Sequence, residues 1–431
     1  MNLLKINQNS FIELKSISWS IILGNISVFL FFSLLLPTKS GHSFAIVFAL
    51  LASALTLPQW EFKKIPKEFF SISLFFIFLA LFWGHTFDGL LTFSLKGDYI
   101  LRYLLGVFLF IGFYKIKIHP RFIIYGIAID SIFSSIIGIH QYNTIGRAEG
   151  FTNAIRFGDL SILMGLILLS ASMIQFFSKK ERLFFAAASF CGLLASVLSL
   201  SRGGWPILIT IPFIFFYLLD KNKKIKLFSG LLLVPLFFIF INLPPVKSRI
   251  QEASEQVNGY FHENEKYVNT SLGVRLELWK TAFLMGQEKP LTGWGDKNIT
   301  AGRLEYVKKS IAAPAIMKYN HAHNDFLEMW ARRGIIGILA LISIYSIPII
   351  LLLISYKKNK NSTPELASIN KFLLISGLLI YSGYFIFGLS DVFFTFVIGH
   401  NFYLFSLIFL LSAFSWIEKK NQLNGNEDKS T

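Results

Sequence analysis

Twelve apolar runs divide this chain, and each is long enough, or nearly so with interfacial extension, to cross about 30 Å of hydrocarbon. They occupy residues 17–36, 41–57, 69–83, 99–114, 122–138, 158–177, 183–200, 205–219, 227–243, 334–355, 372–389 and 396–417. A segment surrounded by lipid has to satisfy its own backbone, which a single helix does. The expected fold class is therefore an all-α polytopic membrane protein, with about 12 transmembrane helices and one large, mainly helical loop. Composition points the same way: 54% of the residues are hydrophobic, 16% aromatic and only 15% charged. A mean hydropathy of +0.56 is too high for a soluble protein of this size.

In a soluble domain, a formal net charge of +16 would suggest a nucleic-acid partner. Here the basic residues sit in short clusters at alternate connections. The first three clusters are Lys63, Lys64 and Lys67; Lys115, Lys117 and Arg121; and Lys179, Lys180 and Arg182. They continue with Lys221, Lys223, Lys224 and Lys226, then Lys357, Lys358, Lys360 and Lys371, and finally Lys419 and Lys420. Under the positive-inside rule these connections and both termini face the cytoplasm, and no nucleic acid is expected. The opposite connections are poor in lysine, and the long one falls on the outer side. The domain reading is spans 1–9 within residues 1–243, the outer loop domain at 244–333, spans 10–12 within 334–417, and a polar, disordered tail at 418–431. The first residues lack a basic stretch followed by a short apolar core and a cleavage site, so the first run reads as a retained span. Cys191, the only cysteine, lies in an apolar run and excludes an intrachain disulfide.

The densest polar chemistry closes the long loop. Residues 321–337 hold His321, His323, Asn324, Asp325, Glu328, Arg332 and Arg333, directly before the apolar run that starts at Gly334. Read as a helix, this stretch sets His323, Phe326, Leu327, Trp330 and Gly334 on one side, and Asn324, Glu328 and Arg332 on an adjacent stripe. His321 then points elsewhere, and Gly334 and Gly337 would let a neighbouring helix approach. Earlier in the loop, Pro244 and Pro245 stop the ninth span and a polar segment at 248–269 reads as helical. A second helix starts near Thr270 or Ser271 as N-cap, with Leu276, Trp279 and Phe283 on one face and Arg275 beside them. Gly293-Trp294-Gly295 marks a turn.

Single arginines also occur on the outer side, away from the cytoplasmic clusters: Arg147 and Arg156 after span five, Arg202 in Ser201-Arg202-Gly203-Gly204 after span seven, and Arg275. Any one of them could be a snorkelling anchor. Several converging with a histidine suit a pyrophosphate, because the guanidinium fork matches phosphate oxygens. The glycine pair beside Arg202 lets the backbone come near a ligand. Asp391, at the outer end of span eleven, could orient an arginine or His323, or simply cap a turn. Arg102 and Asp130 lie within spans, where charge is costly, and rank below this set. On a helix the i, i+2 spacing of His321 and His323 opposes their faces, and no His-Glu-x-x-His occurs, which argues against zinc. No Gly-x-x-x-x-Gly-Lys-[Ser/Thr] occurs either, so a reaction must draw on energy stored in its substrate.

These residues resemble the O-antigen ligase and polymerase superfamily of bacterial envelope enzymes. Its signature, a histidine followed by Asn, Ser or Gln, nine residues, then Gly-x-x-Gly, fits His323-Asn324, residues 325–333 and Gly334-Ile335-Ile336-Gly337. Ser271-Leu272-Gly273-Val274-Arg275-Leu276, Gly388-Leu389-Ser390-Asp391 and the lone Arg202 are also similar to segments of lipopolysaccharide ligases. The resemblance implies a periplasmic site at the bacterial inner membrane. There, without ATP, metal or other cofactor, an O-antigen ligase moves polysaccharide from undecaprenyl pyrophosphate to a sugar hydroxyl of lipid A-core. It implies His323 as the catalytic group and Arg147, Arg202 and Arg275 as pyrophosphate ligands, with Asn324, Glu328, Asp391 and His321 in support. An O-antigen polymerase or a protein O-oligosaccharyltransferase of the same superfamily shares the donor and differs in acceptor. From another class, a lipid-linked sugar transporter would carry its charges along a central cavity, whereas here they gather on one face.

Overall fold

The computed structural model describes residues 19–60, 67–89, 92, 98–218, 242–262 and 267–430. Among these residues there is no β-strand, and the regular elements are helices. The N-terminal half contributes α1 (Trp19–Ser33), α2 (Gly41–Ala54), α3 (Lys67–Gly84), α4 (Tyr99–Ile116), α5 (Pro120–Ile145), α6 (Ala154–Ser172) and α7 (Lys179–Leu198). A 3-10 turn at Trp205–Thr210 leads into the short α8 (Ile211–Leu218). Three helices of the long connection follow, α9 (Pro244–His262), α10 (Ser271–Glu288) and α11 (Gly295–Lys308), and then α12 (Asp325–Lys358), α13 (Pro364–Gly388) and α14 (Val397–Ser430). Seven helices, α4, α5, α6, α7, α12, α13 and α14, are long and apolar enough to cross a membrane, and α1, α2 and most of α3 are shorter apolar helices. The chain is a polytopic membrane protein. The apolar run at 227–243 lies, apart from its last two residues, outside the described residues, as do Lys63, Lys64 and the lysines of 221–226.

Local chemistry sets the helix starts. Asn153 caps α6 by accepting the Arg156 amide at 2.9 Å. Ser178 and Glu181 form a reciprocal capping box on α7, and Thr270 caps α10 through the Gly273 amide at 3.1 Å. The apolar half of α14 is buried on all sides, so this helix runs through the centre of the bundle. Its Phe405 and Phe409 meet Phe31 of α1 at centroid distances of 5.1 and 5.5 Å. Beyond Trp416, α14 continues as helix to Ser430, where the sequence reading places a disordered tail from 418. Asn421 holds it there by donating to Ser362 Oγ at 2.7 Å.

Three of the basic segments, at 115–121, 179–182 and 416–420, meet at one end of the bundle. Arg121 bonds Glu181 at 3.1 Å, and the His119 ring lies 4.5 Å from Trp416. The long connection covers the other end, where α11 docks on the exit of α3 through Asp296 N to Thr86 O (2.8 Å) and Lys297 N to Asp88 Oδ1 (3.0 Å). The two ionisable residues inside spans are occupied locally. Asp130 accepts the Leu36 amide at 2.9 Å, and Arg102 bonds Asn401.

Two expectations about faces change. In α10 the buried stripe is Val274, Leu278, Ala282 and Met285, and Phe283 of the expected face is 49% exposed. The amphipathic pattern was ambiguous there because both stripes are apolar. Gly334, read as a contact point between helices, instead breaks α12 with φ 57° and ψ −148°, a conformation open to glycine alone. A Cβ there would lie 2.5 Å from the Leu291 carbonyl carbon and from Pro290 O. The break turns the Ile335 amide onto Pro290 O at 2.8 Å. Gly334→Ala is expected to destabilise the protein by about 2 kcal/mol or more, read as a lower melting temperature in detergent; an unchanged melting temperature would show that the break is dispensable.

Candidate functional site

The site is assembled on the turn that precedes α12. Asn324 caps that helix by accepting the Leu327 amide at 3.0 Å, and its own amide donates to Leu389 O at 3.1 Å. This ties the start of α12 to the end of α13. Both histidines therefore precede the helix, which corrects the helical reading of their spacing. His323 adopts φ 52°, a left-handed conformation uncommon outside glycine, and this folds its ring to 4.3 Å from that of His321.

Glu328 fixes the turn from below. One exposed percent remains on this residue, whose carboxylate pairs with Arg303 Nη2 at 3.1 Å and with Arg332 Nε. It also accepts the Ala322 amide, between the histidines, at 2.6 Å. The stripe expected for Glu328 and Arg332 is present, and Arg303 of α11 completes it.

His323 Nδ1 lies 3.1 Å from Asp391 Oδ1, and the Tyr319 ring stands 5.4 Å from the imidazole. Burial pushes the Asp391 carboxyl up, but the hydrogen bond and charge of His323, the nearby His321 and the Val392 amide outweigh it and hold the group below the ordinary carboxylate range. His321 is held neutral, its pKa lowered to about 4 by burial and then by His323. His321, His323 and Asp391 bring one ligand atom each to within 4.8 Å of one another. Two imidazoles and a carboxylate are donors that a divalent metal accepts, so helical spacing no longer argues against a metal here.

Arg147, Arg202 and Arg275 line one cavity of about 250 Å³, together with Arg249, Glu149, Glu252 and Ser390. Arg147 is aimed by its Nε bond to Ser199 O at 2.9 Å. Arg202 leaves a turn whose Gly204 packs on the buried Asp159 of α6, since a Cβ there would lie 2.6 Å from Asp159 Oδ1. Gly203 of the same turn faces Ser390, whose hydroxyl would lie 2.4 Å from a Cβ there. Burial lowers the Arg275 pKa, and Asp391 and Asp159, close enough to act on it, oppose the shift. Ser390 lines the cavity and is followed directly by Asp391, so the histidine pair and the arginine pocket adjoin. Arg156 is not among the residues lining that cavity; its Cζ lies 3.4 Å over the Phe396 ring, and Asp391 is close enough to act on its charge.

Residues 187–342 match the family model described as O-Antigen ligase. The match supports the O-antigen ligase superfamily for this chain. An uncharacterized protein of Haemophilus influenzae is 28% identical over 341 residues, covering 75% of this chain and 83% of that protein. A ComP-specific O-oligosaccharyltransferase of Acinetobacter baylyi is 25% identical over 323 residues, covering 71% of this chain and 57% of that protein. The superfamily match includes the His323 turn, Arg202, Arg249 and Arg275, and it excludes Arg147 and Asp391, which reach the site from outside it.

Sequence reasoning missed Arg249, Glu252, Asp159, Tyr319 and Arg303. A signal existed for the first two, since Arg249 and Glu252 stand at i, i+3 in a segment already read as helical. Asp159 looked like one more residue at the start of an apolar run.

The lowered His321 pKa has a definite sign. Its folded value of about 4 lies below the ordinary histidine value, so the associated stability is complete above pH ~6.5 and is lost as pH falls through the folded value. His321→Asn is expected to shrink the fall in melting temperature between pH 7.5 and 5 by roughly 2 °C. An identical fall in both proteins would show that His321 gains no proton on unfolding.

Proposed function

We propose that the protein is an O-antigen ligase, transferring polysaccharide from undecaprenyl pyrophosphate to a sugar hydroxyl of lipid A-core, with neither nucleotide nor metal. The observation that carries this reading is the junction at Ser390-Asp391, which sets a histidine–carboxylate pair beside a pocket of guanidiniums. In the tautomer that donates Nδ1–H to Asp391, His323 Nε2 carries the free lone pair. It accepts the proton of the acceptor hydroxyl as that oxygen bonds the sugar's anomeric carbon. The bond from that carbon to the pyrophosphate breaks, and its electron pair leaves with undecaprenyl pyrophosphate, which gains one negative charge. Arg147, Arg202 and Arg275 act where this charge develops. Asp391 orients the imidazole, and Glu328 and Asn324 hold the turn that presents it, with His321 packed against it.

The superfamily match and the apolar helices support a bacterial inner-membrane location. We place the lysine-rich end and both termini in the cytoplasm, about twelve spans in the bilayer, and residues 244–333 with the site in the periplasm. The division into 1–243, 244–333 and 334–417 follows from that orientation.

The test is transfer from a purified lipid-linked donor to lipid A-core. General-base help contributes about 10²- to 10⁴-fold, so His323→Ala is expected to lose at least about a hundredfold in rate while still folding in the membrane. A chelator should leave the wild-type rate unchanged. Near wild-type transfer by the variant would remove His323 from the chemistry. Loss with chelator, restored by zinc, would reassign His321, His323 and Asp391 to a metal. Transfer to a protein acceptor but not to lipid A-core would move the chain to the oligosaccharyltransferase branch.

A further inference from the structure

The arginine pocket holds a carboxylate of its own in the place where a ligand's anion would sit. Arg249, Glu252 and Gln256 follow one another at i, i+3 and i+7 along α9, which puts them on one face. Arg249 Nη1 lies 2.7 Å from Glu252 Oε2, and Arg202 Nη1 approaches the same oxygen at 4.0 Å. Gln256 donates to Glu252 Oε1 at 2.9 Å and accepts the Leu272 amide at 3.0 Å, beside Ser271 at the pocket wall. Arg202 also donates to the Arg249 carbonyl at 2.6 Å, so the guanidinium predicted from sequence is braced by the backbone of the unpredicted one.

We propose that Arg249 is a fourth binding group for the donor's pyrophosphate, and that Glu252 occupies the position between Arg249 and Arg202 until the donor displaces it. This rests on reading the pocket as the pyrophosphate site. The four guanidiniums and two carboxylates that line the cavity give it a net charge of +2. Packing like charges this closely is unfavourable unless an anion sits among them, and Glu252 supplies one. Its side chain is 37% exposed, and those of Arg202 and Arg249 are 23% and 30% exposed, so the ion pairs are wet and weak. Contrast Glu328, 1% exposed between Arg303 and Arg332, which is fixed. A wet pair can exchange its carboxylate for a phosphate oxygen. With Glu252 turned away, the charge available to a ligand rises by one, the same increment that the pyrophosphate acquires when the sugar leaves it.

The experiment is calorimetric titration of inorganic pyrophosphate into the full-length protein in detergent, which requires no acceptor and no turnover. Glu252→Gln is expected to bind about tenfold tighter than wild type, since the amide keeps the shape and cannot compete as an anion. Adding Arg249→Ala should abolish that tightening. Glu149→Gln removes the other carboxylate from the pocket wall and is expected to change affinity less than about threefold. Equal or weaker binding by Glu252→Gln, an equal effect of Glu149→Gln, or tightening that survives Arg249→Ala would each overturn the inference while leaving the pocket's reading intact. A wild-type protein that binds no pyrophosphate, with Glu252→Gln equally silent, would instead overturn the reading of the pocket itself.

Discussion

Glu328 carries two guanidiniums and a main-chain amide on one carboxylate that is almost fully withdrawn from solvent. Losing Glu328 would leave the buried Arg303 guanidinium without its counter-charge, typically worth about 3–5 kcal/mol when a buried pair is broken on one side. The three groups therefore come as a unit, and the unit spans α11, the turn at Ala322 and the first turns of α12. Arg333 extends it, donating to Phe82 O at 2.8 Å and reaching Asp296 Oδ2 at 3.6 Å, so the same network seats the long connection on α3. His321 and His323 flank the one amide that Glu328 holds. Their orientation is a consequence of this charge network.

The bundle uses its remaining polar groups in two ways. Within the apolar layer several are spent on the backbone: Asp130 holds the Leu36 amide, and Tyr403 donates to Ile344 O at 2.7 Å. At the end covered by the long connection, donors are left facing a cavity. Arg147, Arg202, Arg249 and Arg275 come from four separate stretches of chain, and no local preference of the chain would group them. The elements that deliver them are held by apolar packing and caps, while the guanidiniums converge on a cavity whose lining includes Glu149 and Glu252. That separation of a rigid frame from an exchangeable lining is what a site for a charged lipid headgroup requires.

Much of this was legible in the amino acids. Apolar length marked the helices because lipid leaves few alternatives, and Thr270 and the Gly293-Trp294-Gly295 turn were readable because caps and turns are local chemistry. The faces of α10 were not, since two apolar stripes compete and only the docking of α11 and α12 chooses between them. Nor was the fold of the histidine turn. The residues around Leu327 and Trp330 read as helix, but Asn324 is a strong N-cap and ends the pattern one residue before His323 would join it. Gly334 looked like a packing residue because glycine pairs usually are in membranes; its left-handed conformation answers to Pro290 and Leu291, far away in the fold's logic though near in space. Asp159 carries no local mark of its own and Arg249 only its i, i+3 pairing with Glu252, and tertiary contact is what brings them to the site.

On this reading the histidine pair and the arginine pocket are two walls of one site. It depends on the turn at Gly203 meeting the end of α13 at Ser390, where an ideal Cβ on Gly203 lies 3.4 Å from the Ser390 Cβ, close to the separation a disulfide needs. The direct measurement is oxidative cross-linking of the Gly203→Cys, Ser390→Cys double variant in membranes, with Cys191→Ser removing the native thiol. The disulfide is expected to form readily in the double variant, to form in neither single variant, and to be undone by reductant. Two thiols that stay free under oxidation, each still open to alkylation in protein that reaches the membrane, would contradict it.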